Sequence, residues 1–326
     1  LEFRRVLFRS YSVNKDGLFQ FHPTTNTIIN IYNKRINPYH LTLYNSKLYF
    51  VNQENKIIQF DLTTKRNKSI YQSNTEIRKL DHLNDSSLII TEKNKIFLLN
   101  ILTNHKKTIY QSTTNRIITT SLKNKHQLWI GFEDGLINFN WLTKKETAIP
   151  TKFFVRSMIN LDSNKLIIGT YGMGSFLYQN KQLLPLKNDP NGISTAVVAL
   201  SKDEENNLWV LCNKGAFLWK NSDLIQLQKE SKHNQYHQFY ATNDQIFSEE
   251  MNGGQIPEYF PKNKIIFPSS NGLLIFPQSS FKSSIHTPAI SVRFIAINQD
   301  TIINSNKFLT IPAKHDEITF QIDFPL

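Results

Sequence analysis

A single cysteine, Cys212, stands in 326 residues, which excludes an internal disulfide framework and a cysteine-rich zinc site and leaves the redox compartment open. Glycine (11) and proline (12) are sparse, so neither a collagen-like nor a low-complexity chain is in question. No apolar run approaches the ~18 residues that a membrane-spanning helix needs. Apolar residues come in short patches such as Leu166–Gly169, and no stretch carries a convincing helical period. What is present is 40% hydrophobic and 12% aromatic residues with 38 Lys and Arg against 26 Asp and Glu, the balance of a packed globular chain with net charge +12. The length suits about two average domains or one large all-β domain.

The first ten residues, LEFRRVLFRS, back-translate to what looks like a common short-read sequencing adapter read in frame, so residues 1–10 are expected to be an artefact and are set aside from fold reasoning. At the other end, Glu317–Leu326 stops within a strand-like alternation, and the chain is expected to be an internal fragment.

Internal repetition organises the rest. Segments of the form apolar run, polar turn, apolar strand recur as KLYFVNQENKIIQF, SLIITEKNKIFLLN, QLWIGFEDGLINFN, KLIIGTYGMGSFLY, NLWVLCNKGAFLWK and KIIFPSSNGLLIFP. Their anchors, Leu48, Leu88, Leu128, Leu166, Leu208 and Ile265, follow at steps of 40, 40, 38, 42 and 57, and Asn14–Pro23 fits a partial further unit one step earlier. Eleven residues before four anchors, Ile77, Ile117, Val155 and Val197 each open another β-type run. Asp85, Asn124, Asn164 and Asn206 fall in the first turn of a unit and Gly135, Gly215 and Gly272 in the second. A four-stranded unit of about 40 residues cannot bury both faces alone, so units must stack, and closing them in a ring leaves only short edges. The expected fold is all-β: a seven-bladed β-propeller over 11–286 with its first blade truncated.

LWIGFEDGLINFN at Leu128–Asn140 resembles the two-component regulator propeller repeat, with LIIGT at 166–170 and NLWV at 207–210 in agreement. Phe239–Phe281 resembles the last blade of such sensors, with Asn252-Gly253-Gly254 and Asn271-Gly272 in place. The units at 46–60 and 86–100 lack the Trp and the Gly-Thr, and Leu211-Cys212 replaces Gly-Thr in another, so those blades rest on spacing. After Thr287-Pro288 the alternation of AISVRFIAINQDTI and KFLTIPAKHDEITFQIDF is similar to the start of the immunoglobulin-like triple-tyrosine domain, which gives a truncated β-sandwich over 287–326.

Chemistry is sparse. His233 and His237 lie in a polar insertion and read as solvated loop residues rather than a metal site, and Glu249-Glu250 as exposed carboxylates. Tyr171–Phe176 is glycine-rich but lacks the lysine and helix of a phosphate cradle. Trp129 and Trp209 share a repeat position, which favours packing between blades. The positive charge is dispersed among 35 asparagines rather than gathered in a stripe, so no direct nucleic-acid binding is expected. Arg78 and Arg156 stand 10 residues, and Arg116 12 residues, before their anchors, where the innermost strand of a blade begins. The turns between second and third strands would open on the same mouth, placing Glu133, Tyr171 and Lys214 beside the three arginines, a set suited to an acidic or sulfated oligosaccharide.

The resemblance implies a ligand-sensing, glycan-responsive periplasmic domain of a bacterial membrane-bound sensor kinase or hybrid two-component regulator. That implies no catalysis by these residues, no cofactor or metal, membrane attachment through sequence beyond Leu326, and a homodimer in the full-length protein. An interaction scaffold, or a propeller lyase or hydrolase, are the alternatives; the last needs convergent acid–base or metal residues that the sequence does not display.

Overall fold

The computed structural model describes residues 2–186 apart from isolated positions and pairs, then 195–229 apart from positions 204 and 214. Beyond those it describes the strands over 238–241, 258–260, 264–268, 273–277, 291–297, 300–303 and 317–323. The chain divides into two compact units, Leu1–Gln278 and Ser279–Leu326.

The first unit is a succession of antiparallel sheets, each made of strands consecutive in sequence. The first holds β1 (Glu2–Val6), β2 (Arg9–Asn14), β3 (Gly17–His22) and β4 (Thr27–Tyr32). The second holds β5 (Ile36–Tyr44), β6 (Lys47–Asn52), β7 (Lys56–Asp61) and β8 (Asn67–Gln72), the third β9 (Ile77–Asn84), β10 (Ser87–Glu92), β11 (Lys95–Asn100) and β12 (Lys106–Gln111). The fourth holds β13 (Ile118–Asn124), β14 (Gln127–Phe132), β15 (Gly135–Asn140) and β16 (Glu146–Ile149), the fifth β17 (Phe154–Asn160), β18 (Leu166–Tyr171), β19 (Ser175–Gln179) and β20 (Gln182–Leu186). In the sixth are β21 (Val197–Lys202), β22 (Leu208–Cys212), β23 (Gly215–Trp219) and β24 (Gln238–Ala241), and β25 (Glu258–Phe260), β26 (Lys264–Pro268) and β27 (Leu273–Pro277) make a three-stranded sheet.

Burial is graded across each sheet. All six anchors are buried, and the second strands they open are buried on both faces, whereas the fourth strands β8, β12 and β16 are mostly exposed over their first three residues. The reason is that hydrophobic clusters lie between sheets. One joins Tyr49, Val51 and Ile57 to Leu88, Ile90 and Phe97; the next joins Ile89 and Ile96 to Leu128, Ile130 and Phe139; a third joins Trp129 and Leu136 to Val155, Leu166 and Ile168. Each sheet therefore supplies half of two cores, as the stacking argument requires. Trp129 meets Tyr178 of the next sheet with ring centroids 5.1 Å apart, and Trp209 meets Phe267 at 5.2 Å, so both tryptophans pack between sheets.

Innermost strands neighbour one another in series, β5 beside β9, β9 beside β13, β13 beside β17 and β17 beside β21, and β25 comes back beside β1. Glu2–Val6, within the adapter-like stretch, is built into this series as β1, pairing with β2 from Glu2↔Val13 to Val6↔Arg9. Backbone pairing asks only for an open edge, and β2 presents one.

The expectation of no helix is corrected by α1 (Asn221–Lys229) between β23 and β24. Asp223 sits in its first turn, where a carboxylate suits the helix N-terminus, the Asn221 amide donates to Asn207 Oδ1 at 2.9 Å, and Leu224 is buried against Trp219 and its cluster. Among the described residues no helix is long and apolar enough to cross a membrane. The second unit is a three-stranded antiparallel sheet with β28 (Ser291–Ile297) between β29 (Asp300–Ile303) and β30 (Ile318–Asp323).

Candidate functional site

The start of each innermost strand lies at the same end of its sheet as the turn between second and third strands: Ile77 pairs with Glu92, Ile118 with Phe132, Phe154 with Tyr171 and Val197 with Cys212. At this end four innermost strands carry the same irregularity. The pairing jumps from Lys79 to Ile77, Ile118 to Thr120, Val155 to Ser157 and Val197 to Ala199, leaving Arg78, Thr119, Arg156 and Val198 as the extra residues of four bulges. A bulge turns one side chain out of the alternation and increases local twist, which is how a strand re-aims a residue at a rim.

Arg78 and Arg156 therefore occupy equivalent places, as their equal spacing implies, and Arg116 does not. The fourth sheet is one residue shorter between innermost strand and anchor, so Thr119 takes the bulge and Arg116 precedes the strand. Its guanidinium lies 4.0 Å over the Phe132 ring and grips Asp134, with Nε donating at 2.9 Å and Nη2 at 2.5 Å to Oδ1. Arg78 pairs with Glu76 at 2.8 Å. Arg156 is exposed and has no ion-pair partner among the described residues.

The turn at this end of the same sheet carries exposed apolar groups. Tyr171 is 60% exposed, although its backbone is fixed by a bridge to Ala196 and its ring touches that of Phe154 with centroids 6.2 Å apart. Two residues on, Met173 is 59% exposed in a turn whose Gly172 and Gly174 amides both donate to Thr195 O, at 2.7 and 3.0 Å, and whose Gly172 has φ +104°. The corresponding turn position holds Glu133 in the fourth sheet and Lys93 in the third, both exposed. Gln53 and Asn213 hold it in the second and sixth sheets, so among these five turns the aromatic ring stands only in the fifth sheet, the sheet of the unpaired arginine. Met173 was not singled out by sequence reasoning, because a lone methionine in a glycine-rich turn carries no periodic signal. Lys214 lies outside the described residues, as do His233, His237, Glu249, Glu250, the Asn252-Gly253-Gly254 loop and Asn271-Gly272.

The same end holds a buried charge network that spacing did not reveal. Glu92, 1% exposed, accepts from Tyr71 Oη at 3.0 Å and Ser73 Oγ at 2.6 Å on the preceding sheet. Its second oxygen is held by the Lys95 ammonium at 2.9 Å, by charge rather than along an aligned hydrogen-bond direction. Lys106 donates to Tyr71 Oη at 2.8 Å and sits 3.8 Å over the Phe97 ring. Burial alone pushes the Glu92 carboxyl up, but the donors Ser73, Lys95 and Tyr71 and the Lys106 charge outweigh it and hold the group below the usual carboxylate range. Tyr71 is pushed up, first by burial and then by the Glu92 charge. With Tyr71 and Ser73 bound to Glu92 and Lys106 bound to Tyr71 across the two sheets, the network is a structural clasp.

Among the described residues no group of three or more His, Cys, Asp or Glu side chains is placed to hold a metal. No family model matches the sequence, and no curated protein is significantly similar to it. Solved structures are similar in fold. The extracellular domain of BT4673 from B. thetaiotaomicron, described as a hybrid two component system in one structure, superposes with TM-score 0.66 at 16% identity over 91% of this chain and 39% of that one. A second structure, described as a one component system, gives TM-score 0.62 at 16% identity over 90% and 38%. The β-propeller domain of Myceliophteria thermophila Cps50 (Swd1) gives TM-score 0.60 at 14% identity over 85% and 96%. The chain spans about two fifths of the BT4673 domain. The fold of the first unit is that of a β-propeller.

Proposed function

We propose that the chain is a non-catalytic, glycan-sensing part of the periplasmic region of a bacterial membrane-bound two-component signalling protein. In this reading the six four-stranded sheets and the three-stranded one are seven blades of a closed ring, and the sheet of β28–β30 begins an immunoglobulin-like domain. The similarity in fold to the extracellular domain of a signalling protein supports the setting. One observation carries the ligand: an exposed tyrosine and methionine in the turn of the sheet whose bulge carries an exposed, unpaired arginine, where the other described sheets hold a polar or charged side chain in place of the tyrosine. A flat aromatic ring offers a sugar its apolar face, and a guanidinium offers two parallel donors to a carboxylate or sulfate.

Calorimetric titration with neutral and acidic oligosaccharides tests this. Tyr171→Ala is expected to weaken both classes about tenfold, the loss of one stacking contact. Arg156→Ala is expected to weaken only the acidic class, by about tenfold, and that difference should shrink in high salt because exposed charges are screened within about 8–10 Å. Equal affinity of both variants and the parent for both classes would remove the site.

The domain boundary has its own test. If residues 279–326 belong to a separate domain, a chain ending at Gln278 should unfold within about 2 °C of the parent's main thermal transition. A loss of ten degrees or so would tie the two units into one cooperative body.

A further inference from the structure

Away from the bulged mouth, three consecutive sheets close their outermost hairpin with one and the same turn. Asp61, Asn100 and Asn140 each use a side-chain oxygen to accept the amides two and three residues on, at 2.9–3.1 Å. Their own amides donate to Arg66, His105 and Lys145 carbonyls at 2.9 Å, and Lys65, Asn104 and Lys144 adopt φ of 58–59°. These turns are rigid, and two of them point a leucine into solvent: Leu102 is 79% exposed and Leu142 65%. A leucine at a turn apex does nothing for the fold, since an asparagine or threonine would satisfy the same backbone, as Thr63 does in the second sheet. Cations surround the tips. Lys65, Arg66, Lys107, Lys144 and Lys145 are all exposed, against Glu146, an exposed Asp85 that accepts from Tyr44 Oη, and an Asp61 whose carboxylate is taken up by its own turn.

We propose that this rim docks on an anionic phospholipid surface, Leu102 and Leu142 entering the acyl boundary while the lysines and Arg66 meet headgroup phosphates. The pairing of chemistries argues for lipid. A membrane interface places apolar depth directly beneath a layer of negative charge, which is what isolated apolar tips backed by cations complement. An acidic protein would use the cations and leave the leucines in water, and a second copy of a chain with net charge +12 would be repelled at this rim. Preformed turns lose little conformational freedom on docking. The inference stands on these turns and is independent of the ligand mouth.

Sedimentation of the full chain with phosphatidylcholine vesicles, with and without phosphatidylglycerol, tests it. Binding is expected only to the anionic vesicles. Leu102→Ser/Leu142→Ser should weaken it about tenfold or more, and Lys144→Glu/Lys145→Glu by at least as much, with unchanged circular dichroism in both. In a Leu142→Trp variant the indole emission should move to shorter wavelength on anionic vesicles. No binding, equal binding to neutral vesicles, undiminished binding by the leucine variant, or an unshifted indole would each overturn the proposal, the third by reducing it to adsorption through net charge.

Discussion

Replacing Gly131 or Gly169 with alanine is expected to destabilise the protein by about 1–3 kcal/mol in each case, lowering the thermal midpoint by an amount on the order of 5 °C. A Cβ at Gly131 would lie 2.6 Å from Val155 Cγ1, and one at Gly169 2.5 Å from Val197 Cγ1 and 2.4 Å from Ser157 Oγ. Both valines belong to the innermost strand of the next sheet and are fully buried, so neither can swing away. The glycine of the Trp-Ile-Gly and Ile-Ile-Gly segments is therefore a spacer that lets successive sheets close to contact. The diagnostic measurement is a double-mutant cycle. Gly131→Ala combined with Val155→Ala should cost clearly less than the two single changes added together, since the new methyl occupies space the valine vacates. Additive losses would mean that the glycine acts through backbone freedom instead. The third sheet solves the same problem differently: Thr91, at the equivalent place, bonds Ser121 Oγ of the next sheet at 2.9 Å.

Removing the carboxylate of Glu92 should have the other large effect. Glu92→Ala strands the Tyr71 and Ser73 hydroxyls and frees two ammonium groups from their counter-charge, and about 2–3 kcal/mol of stability is expected to go, the lysines being able to reach water. Glu92→Gln, which keeps the shape and one acceptor, should lose about half of that. Acid supplies a second reading. The carboxyl is held below its ordinary range, so its contribution is fully present above the unfolded value of about 4.3 and fades as pH falls through the lower folded value. Thermal midpoints of parent and Glu92→Gln should consequently differ most near neutrality and draw together as pH falls from the unfolded value through the lower folded one. A gap that stayed constant from neutrality to the onset of acid unfolding well below the unfolded value would show that charge is not what Glu92 contributes.

How far the fold was legible follows from these two cases. The steps between Leu48, Leu88, Leu128, Leu166 and Leu208 report a demand made by every interface at once, burial of the second strand on both faces, and so they survive wherever the motif residues change. Register inside a sheet is set locally, which is why a one-residue shortening before Leu128 puts Thr119 rather than Arg116 at the bulge. α1 was invisible because its sequence, NSDLIQLQK, is mostly polar, and what holds Leu224 is a neighbouring sheet. The Glu92 clasp joins residues about twenty positions apart on two sheets, with no spacing rule to announce it. At the mouth, sequence reached Arg156 and Tyr171 by position alone; which arginine stays unpaired depends on whether an acid such as Glu76 or Asp134 lies within reach in three dimensions.

The recurring bulge separates inheritance of shape from inheritance of specificity. Arg78, Thr119, Arg156 and Val198 are the residues of their strands that face no partner across the ladder, so changing one removes no hydrogen bond of its own sheet's ladder, although Thr119 Oγ1 donates to Val155 O of the next sheet at 2.6 Å and Val198 is buried. Arginine, threonine and valine already share that position within one chain. Where the bulge residue faces solvent, as Arg156 does, a duplicated ancestral unit could in this way diversify its mouth, a substitution altering what the rim attracts while the stack beneath it goes on packing as before.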